Sequence, residues 1–397
     1  MPRSLVLLFA CASGLSVANV YYAQPLLDAL AADFGISHAV VGGVITATQL
    51  GSVLALLLLV PLGDLLPRRH LMLAQLMALA AALVAVCLTS STFAMMAGML
   101  AVGMLGTAMT QGLIAYAASA AAEAERGRVV GAAQSGVLAG LLLARVFAGL
   151  VADLAGWRGV YGASAAIMLV LAALLWRCLP LLPTQAGGQA PRFAYPRLIA
   201  SMVTLLRRNR VLQVRGVIAL LMFAVFGTFW SALVFLLGAP PYAYSHGTTG
   251  AFGLVGVAGA LAAARAGHWA DRGYAQATSA AALLLMPLSW LLLALAPHSL
   301  SALIAGIVAL DLAVQALHVT NQSMILRSGD EHSRLIGGYM LFYAVGSGAG
   351  ALAATTIHAQ AGWSGVCLLG GGLSLIALMF WAATKWPVRI AKVAGPI

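Results

Sequence analysis

Hydrophobic residues fall along the chain in twelve long runs. They lie at about 4–28, 40–62, 71–89, 93–121, 129–152 and 159–179, then 214–238, 249–270, 276–296, 299–325, 335–358 and 363–384. A helix needs ~20 apolar residues to cross a bilayer, and each run is close to that length, so the pattern predicts twelve transmembrane helices. The longest polar gap, 181–212, carries Pro183, Gly187, Gly188, Pro191, Pro196 and a basic cluster. It reads as a cytoplasmic linker between a six-helix half at 1–180 and another at 213–397. The expected fold class is therefore an all-α membrane protein.

Composition narrows the class further. Of 397 residues, 62% are hydrophobic and 8% charged, against about 25% charged in soluble domains. That excludes a soluble enzyme, a disordered chain and a single-span receptor. The net charge of +11 does not indicate nucleic acid, because the basic residues sit in short gaps rather than on one basic face. Cys11, Cys87, Cys178 and Cys367 have no CxxC spacing, and no His/Cys/Asp/Glu cluster has metal-ligand spacing. The first run starts like a signal peptide at Arg3 but continues through Tyr21, Tyr22 and Leu26, longer than a cleaved leader.

With the N-terminus inside, 18 of the 21 basic residues fall in inner segments. The exceptions are Arg158 in an outer gap and Arg145 and Arg265 within runs. Both termini are therefore expected in the cytoplasm.

The two halves repeat each other at an offset of 206 to 207 residues. Gly63-Asp64 matches Ala270-Asp271, and Arg128-Val-Val-Gly131 matches Arg334-Leu-Ile-Gly337. Gly156-Trp157-Arg158-Gly159-Val160 matches Gly362-Trp363-Ser364-Gly365-Val366. Three matches in order indicate two halves of the same orientation, as in transporters built from parallel repeats.

Gly267-His-Trp-Ala-Asp271-Arg272-Gly273 resembles the loop signature between helices eight and nine of the major facilitator superfamily. Its partner, Val60-Pro-Leu-Gly-Asp64-Leu-Leu-Pro-Arg68-Arg69, keeps the Asp and the paired Arg. The resemblance covers essentially the whole chain. Ala18 to Leu27 and Asp311 to Gln322 are similar to bacterial members described as drug or sugar efflux proteins. The resemblance implies a major facilitator fold and alternating access. It also implies a cavity lined by the first, fourth, seventh and tenth helices. Helix five of that family's proton antiporters carries a central proline, and none occurs here between Arg128 and Asp153.

Asp311 lies twelve residues into its run, about 18 Å deep, where an ionisable group is costly and functional by default. Gln315, His318 and Gln322 follow at i+4, i+7 and i+11, within about 60° of one helix face. Such a stripe lines either a watery cavity or a buried hydrogen-bond network that only orients helices. Desolvation favours the protonated form of a buried carboxyl, so Asp311 is the candidate proton carrier and His318 a candidate relay. Arg145 in run five either snorkels to the outer interface or pairs inside the membrane with a carboxylate or an anion.

On the four helices that the resemblance assigns to the cavity, the candidates are Asn19, Tyr22, Gln24, Thr107, Gln111, Phe226 and Trp230. Tyr339 and Tyr343 of run eleven join Gln315 and Gln322 as further candidates. Asp64, Arg68, Arg69, Asp271 and Arg272 are expected to latch the cytoplasmic gate.

The expected function is proton-coupled export of a small organic compound across a bacterial cytoplasmic membrane. The protein is expected to act as a monomer in the lipid bilayer, without cofactor, metal or nucleic acid. No GxxxxGK[ST] loop is present for ATP, and no clustered acid, nucleophile or metal set suggests an enzyme. Uptake by symport or facilitated diffusion is the alternative within the class, and a non-transporting receptor is the alternative outside it.

Overall fold

The computed structural model describes residues 1–179, 194–328 and 332–384, and every regular element among them is helical. The helices are α1 (Arg3–Ala18), α2 (Leu27–Phe34), α3 (His38–Leu54), α4 (Arg68–Leu88), α5 (Thr92–Ala120), α6 (Arg126–Cys178) and α7 (Ala194–Arg208). They continue as α8 (Arg210–Gly238), α9 (His246–Ala251), α10 (Val257–Trp269), α11 (Ala275–Ala294), α12 (Leu300–Leu326) and α13 (His332–Thr384).

Most of these helices are apolar, and in lipid a backbone must satisfy its own polar groups. Free N–H groups at helix starts are met by short polar side chains. Ser37, Ser91, Ser245 and Ser299 each accept from the backbone N–H three residues on, and Asn209 accepts from Leu212 N at 2.9 Å.

Eight helical stretches among the described residues are long and apolar enough to cross a bilayer. Two of them, Glu123–Cys178 and Arg334–Thr384, run to 56 and 51 residues, far more than one crossing needs. Each folds back on itself at one glycine. Glu125 lies beside Met1 and Trp176 beside Arg69, whereas Asp153 and Arg158 lie at the opposite end, beside His246 and Asp33. The turn is Gly156, with φ 69°, and its repeat counterpart Gly362 has φ 60°. A side chain with a Cβ is strained at positive φ, which accounts for the glycine that opens both Gly-Trp-x-Gly-Val motifs.

Two runs are broken where the sequence predicts single helices. The first stops at Ala18 and resumes as α2 after a 3₁₀ turn at Gln24–Leu26, where Pro25 cannot donate. The eighth is split into α9, a 3₁₀ segment Phe252–Gly256 and α10. Glycines recur there at 247, 250, 253, 256 and 259. Three residues per 3₁₀ turn help keep such a series aligned on one face.

Buried apolar side chains form two cores. One is drawn from residues 6–179 with Val234, Phe235 and Ala351, the other from residues 212–381. Within the first, α1 crosses α6 so closely that a Cβ on Gly140 would lie 2.2 Å from the Gly14 carbonyl oxygen. The same contact recurs 206 residues on, where a Cβ on Gly346 would lie 2.1 Å from the Leu220 carbonyl oxygen. The duplication thus extends from sequence to the crossing itself.

Backbone cannot swing aside as a side chain can, so Gly140→Ala is expected to cost about 1–3 kcal/mol by overpacking. Thermal unfolding in detergent reads this as a lowered midpoint. Gly131→Ala, whose Cβ meets nothing within 4 Å, serves as the unchanged control.

Candidate functional site

A cavity of about 420 Å³ lies between the two cores, walled by α1, α3, α5, α6, α8, α12 and α13. It extends from Tyr21 and Tyr343 toward the end of the bundle that carries Arg68 and Arg128, past Leu56, Ile114 and Ile336. Of the residues singled out in sequence, Thr107, Gln111, Phe226, Gln315, His318, Gln322 and Tyr343 line it.

The others lie elsewhere. Asn19 is sealed inside the first core, where its amide accepts from Ser164 Oγ at 2.7 Å and donates to Leu15 O at 2.8 Å. Tyr22 packs on Phe147, with ring centroids 5.3 Å apart. Tyr339 is buried behind His318, its hydroxyl 2.8 Å from Nδ1. Sequence reasoning passed over Tyr21, Gln49, Ser52, Thr110, Gln134 and Phe223, all of which line the cavity. Gln49 and Ser52 come from α3 and Gln134 from α6, outside the four helices searched. Their only sequence signal is a polar side chain in an apolar run.

The inner wall of the cavity is aromatic. The hydroxyls of Tyr21 and Tyr343 hydrogen-bond to each other across the two halves, and Phe223 stands edge-on to Tyr343 at 4.0 Å. Behind this wall Arg145 is turned inward and only 2% exposed, so it does not snorkel. Its Nε donates to Gln24 Oε1 at 2.8 Å and its Nη1 to Leu141 O at 3.2 Å. The guanidinium lies 4.1 Å from the Trp230 ring centroid, 5.7 Å from Tyr21 and 6.0 Å from Phe226. Gln24 and Trp230, expected in the cavity, are thus partners of Arg145.

Asp311 approaches this group from α12 in the other half and is 4% exposed. Arg145 Nη2, Asp311 Oδ1 and Trp230 Nε1 are buried without a hydrogen-bond partner among the described residues. The glycine series of the eighth run passes between the two charged side chains. A Cβ on Gly253 would meet Arg145 Cβ at 3.3 Å, and one on Gly256 would meet Asp311 Oδ2 at 2.6 Å.

A second buried arginine is not among the candidates that the sequence offers. Arg215 in α8 donates to Ser279 Oγ at 2.9 Å, Asn321 Oδ1 at 3.2 Å and Gln276 Oε1 at 3.1 Å. It ties α8, α11 and α12 together within one half.

At the end remote from Arg68 the halves are closed along two seams. In one, Thr46 Oγ1 of α3 donates to Gly348 O of α13 at 2.9 Å, and His38, Phe235 and His358 stack nearby. In the other, Asp153 of α6 accepts from the N–H groups of His246 at 3.0 Å and Gly247 at 2.9 Å. His246 Nε2 lies 3.1 Å from Asp28 Oδ1.

The hydrogen bond to Asp28 raises the His246 pKa, burial opposes this, and the charges of Asp28 and Asp153 add to the rise. A raised pKa means the charged imidazole favours the closed seam. That support is complete below the unperturbed value of about 6.5 and is lost as pH climbs through the raised value. The protection factors of the α9 amides, exchange rates corrected for the intrinsic base-catalysed rate at each pH, are therefore expected to be higher at pH 5.5 than at pH 8.5. His246→Gln is expected to flatten that difference, and an unaltered profile would remove His246 from the seam's energetics.

At the opposite end, Arg68 Nε donates to Gly63 O at 2.8 Å and Arg69 reaches Trp176 O, both within one half. Arg272 is exposed, and the side chains of Asp64 and Asp271 lie outside the described residues.

Comparison with known proteins bears on this arrangement. The family model described as Major Facilitator Superfamily matches residues 8–286. The chain is 42% identical over 389 residues to the uncharacterized transporter YgaY of Escherichia coli O157:H7, covering 96% of this chain and 95% of that one. It is 32% identical over 395 residues to a Streptomyces coelicolor (strain ATCC BAA-471 / A3(2) / M145) protein designated Probable transporter SCO4007, covering 98% and 88%. Among solved structures, a bacterial homolog of the human lysosomal transporter Spinster, inward-facing and occupied, superposes with TM-score 0.77. That match has 13% identity over 96% of each chain, a likeness of fold.

Proposed function

The chain belongs to the major facilitator superfamily, and from that premise we propose that it exports a small organic compound from the cytoplasm against protons. It is a multi-pass membrane transporter. In the proposed reading twelve helices form two six-helix halves, residues 1–180 and 213–397. They are joined by a linker at 181–212, of which 181–193 lies outside the described residues. Both termini face the cytoplasm, and the cavity opens there. Rocking of the halves would break the two closed seams and expose the cavity on the other side.

The observation that carries the coupling is the juxtaposition of Arg145 from one half and Asp311 from the other against one indole, behind the cavity. Arg145 Nη2 and Asp311 Oδ1 are buried without a hydrogen-bond partner among the described residues, and the guanidinium lies over the Trp230 ring. A carboxylate there leans on Arg145 for its compensation, and protonation removes the need for it. When the halves part, Arg145 and Asp311 separate, so the proton affinity of Asp311 changes with conformation. Substrate release outside is then matched by protonation, and substrate entry inside by deprotonation.

Gln315 and His318, one and two turns along α12, line a way from Asp311 to the cavity. Arg68 and Arg69 with Asp64, and Arg272 with Asp271, are proposed to latch the cytoplasmic end when it closes.

Proton movement in inverted vesicles containing the protein tests this reading. Respiration builds an inward acid gradient, followed by a pH-sensitive dye while sugars, nucleosides, amino acids and lipophilic cations are added singly. Collapse of the gradient by one compound, only in vesicles with the protein, is the expected result. Carriage of a labelled compound without proton movement would leave a facilitator, and proton entry together with outward-to-inward uptake would make it a symporter.

A further inference from the structure

We infer that the cavity takes an uncharged organic molecule that carries both hydrogen-bond donors and acceptors and one flat face. The inference deepens the transport reading and rests on it for the word substrate. Five glutamines, Gln49, Gln111, Gln134, Gln315 and Gln322, stand on four different helices around the cavity, and among the described residues no Asp, Glu, Lys or Arg lines it. Each amide offers two donors and an acceptor, which suits hydroxyl, amide and heterocyclic groups alike.

Gln49 is the pointed case. It is 2% exposed, lines the cavity, and neither Nε2 nor Oε1 has a hydrogen-bond partner among the described residues. A buried amide left unpaired on both atoms is destabilising, and a ligand that supplies an acceptor and a donor together relieves it.

Charge is excluded by what surrounds the aromatic wall. Tyr21, Phe223, Phe226 and Tyr343 provide the flat surface. A cation would ordinarily use such rings by cation–π attraction, but the Arg145 guanidinium already lies near Tyr21 and Phe226. An added cation would meet that positive charge with no carboxylate lining the cavity. An anion would find Arg145 behind the rings, held by Gln24 and Leu141 and opposed by Asp311. Both ring nitrogens of His318 are engaged, by Tyr339 and Gln322. A charged ligand would therefore lose its hydration without gaining a counter-charge.

Binding to the purified full-length protein in detergent tests this, read as thermal stabilisation and by calorimetry. The probes are matched sets: a nucleoside and its monophosphate, glucose with glucosamine and gluconate, and tetraphenylphosphonium. A neutral member is expected to bind at least about tenfold tighter than its charged counterparts, and whether it is the sugar or the nucleoside identifies the source of the shared chemistry. Gln49→Leu is expected to weaken it about tenfold, the loss of one good hydrogen bond. Gln111→Leu, on a half-buried face, gives a second reading if the first variant does not fold.

Tightest binding by a charged probe, unchanged affinity in both variants, or no binding by any neutral probe would overturn the inference. Binding is measured without transport. A neutral compound that binds but is not carried across a vesicle membrane counts against the transport reading and leaves this one standing.

Discussion

Asp311→Asn is expected to reduce substrate-driven proton movement at least about tenfold, to the background of empty vesicles, while binding at the cavity changes less than about threefold. Asn has the shape of the protonated carboxyl but cannot release a proton, so it freezes the site in one charge state. The cavity itself keeps its lining, because Asp311 lies behind the aromatic wall and not among the lining residues. The substitution removes the negative charge nearest Arg145 without breaking a direct hydrogen bond to it. Hydrogen bonds to Gln24 and Leu141 and the Trp230 face remain to hold the guanidinium.

Purified protein that elutes as a single species and still binds substrate separates loss of coupling from loss of fold. Coupling that persists in Asp311→Asn would move the proton site elsewhere, with His318 the next group along the same helix.

Gly250→Leu is expected to abolish net transport by preventing closure of the seam between α6 and α9. A Cβ at Gly250 would stand 2.2 Å from the Arg145 carbonyl oxygen and 2.9 Å from its carbon, both backbone atoms. Relief requires the halves to separate. An overlap worth about 2–3 kcal/mol lowers the ratio of closed to open conformers roughly 30- to 150-fold.

Spin labels at Leu154 and His298, both exposed and on opposite halves, report the change after Cys11, Cys87, Cys178 and Cys367 are replaced by Ser. The expected result is a shift of the distance distribution to longer values. An unchanged distribution with transport intact would show that the seam tolerates the side chain and does not control closure.

The seam also marks where sequence reading stopped short. Glycines three residues apart from Gly247 to Gly259 were visible, yet a period of three matches neither the helix nor the strand template and was passed over. The spacing acquires meaning only beside Arg145, more than 100 residues earlier, and Asp311, more than 50 later. Arg145 shows the same gap from the other side. Its depth was legible and suited snorkelling, but its direction is set by Gln24, Trp230 and the glycine face.

Asn19 illustrates the converse. A polar residue on the right helix reads as a cavity residue until Ser164 and Met168 are found to enclose it.

By itself the sequence determined the apolar runs, the motifs that repeat at an offset of 206 to 207 residues, the family, and Asp311 as the ionisable group deep in its run. These follow from constraints that act along the chain. A bilayer fixes how many consecutive residues must be apolar, and a duplicated motif such as Gly156-Trp157 and Gly362-Trp363 encodes a turn within itself. The tertiary structure decided which polar side chains face the cavity, which way Arg145 points, and that the cavity is ringed by glutamines without a charge. Helices apolar on nearly all sides carry little record of which side meets lipid and which meets a partner, so the facing of Gln49 or Gln134 is settled only by the helices that pack around them.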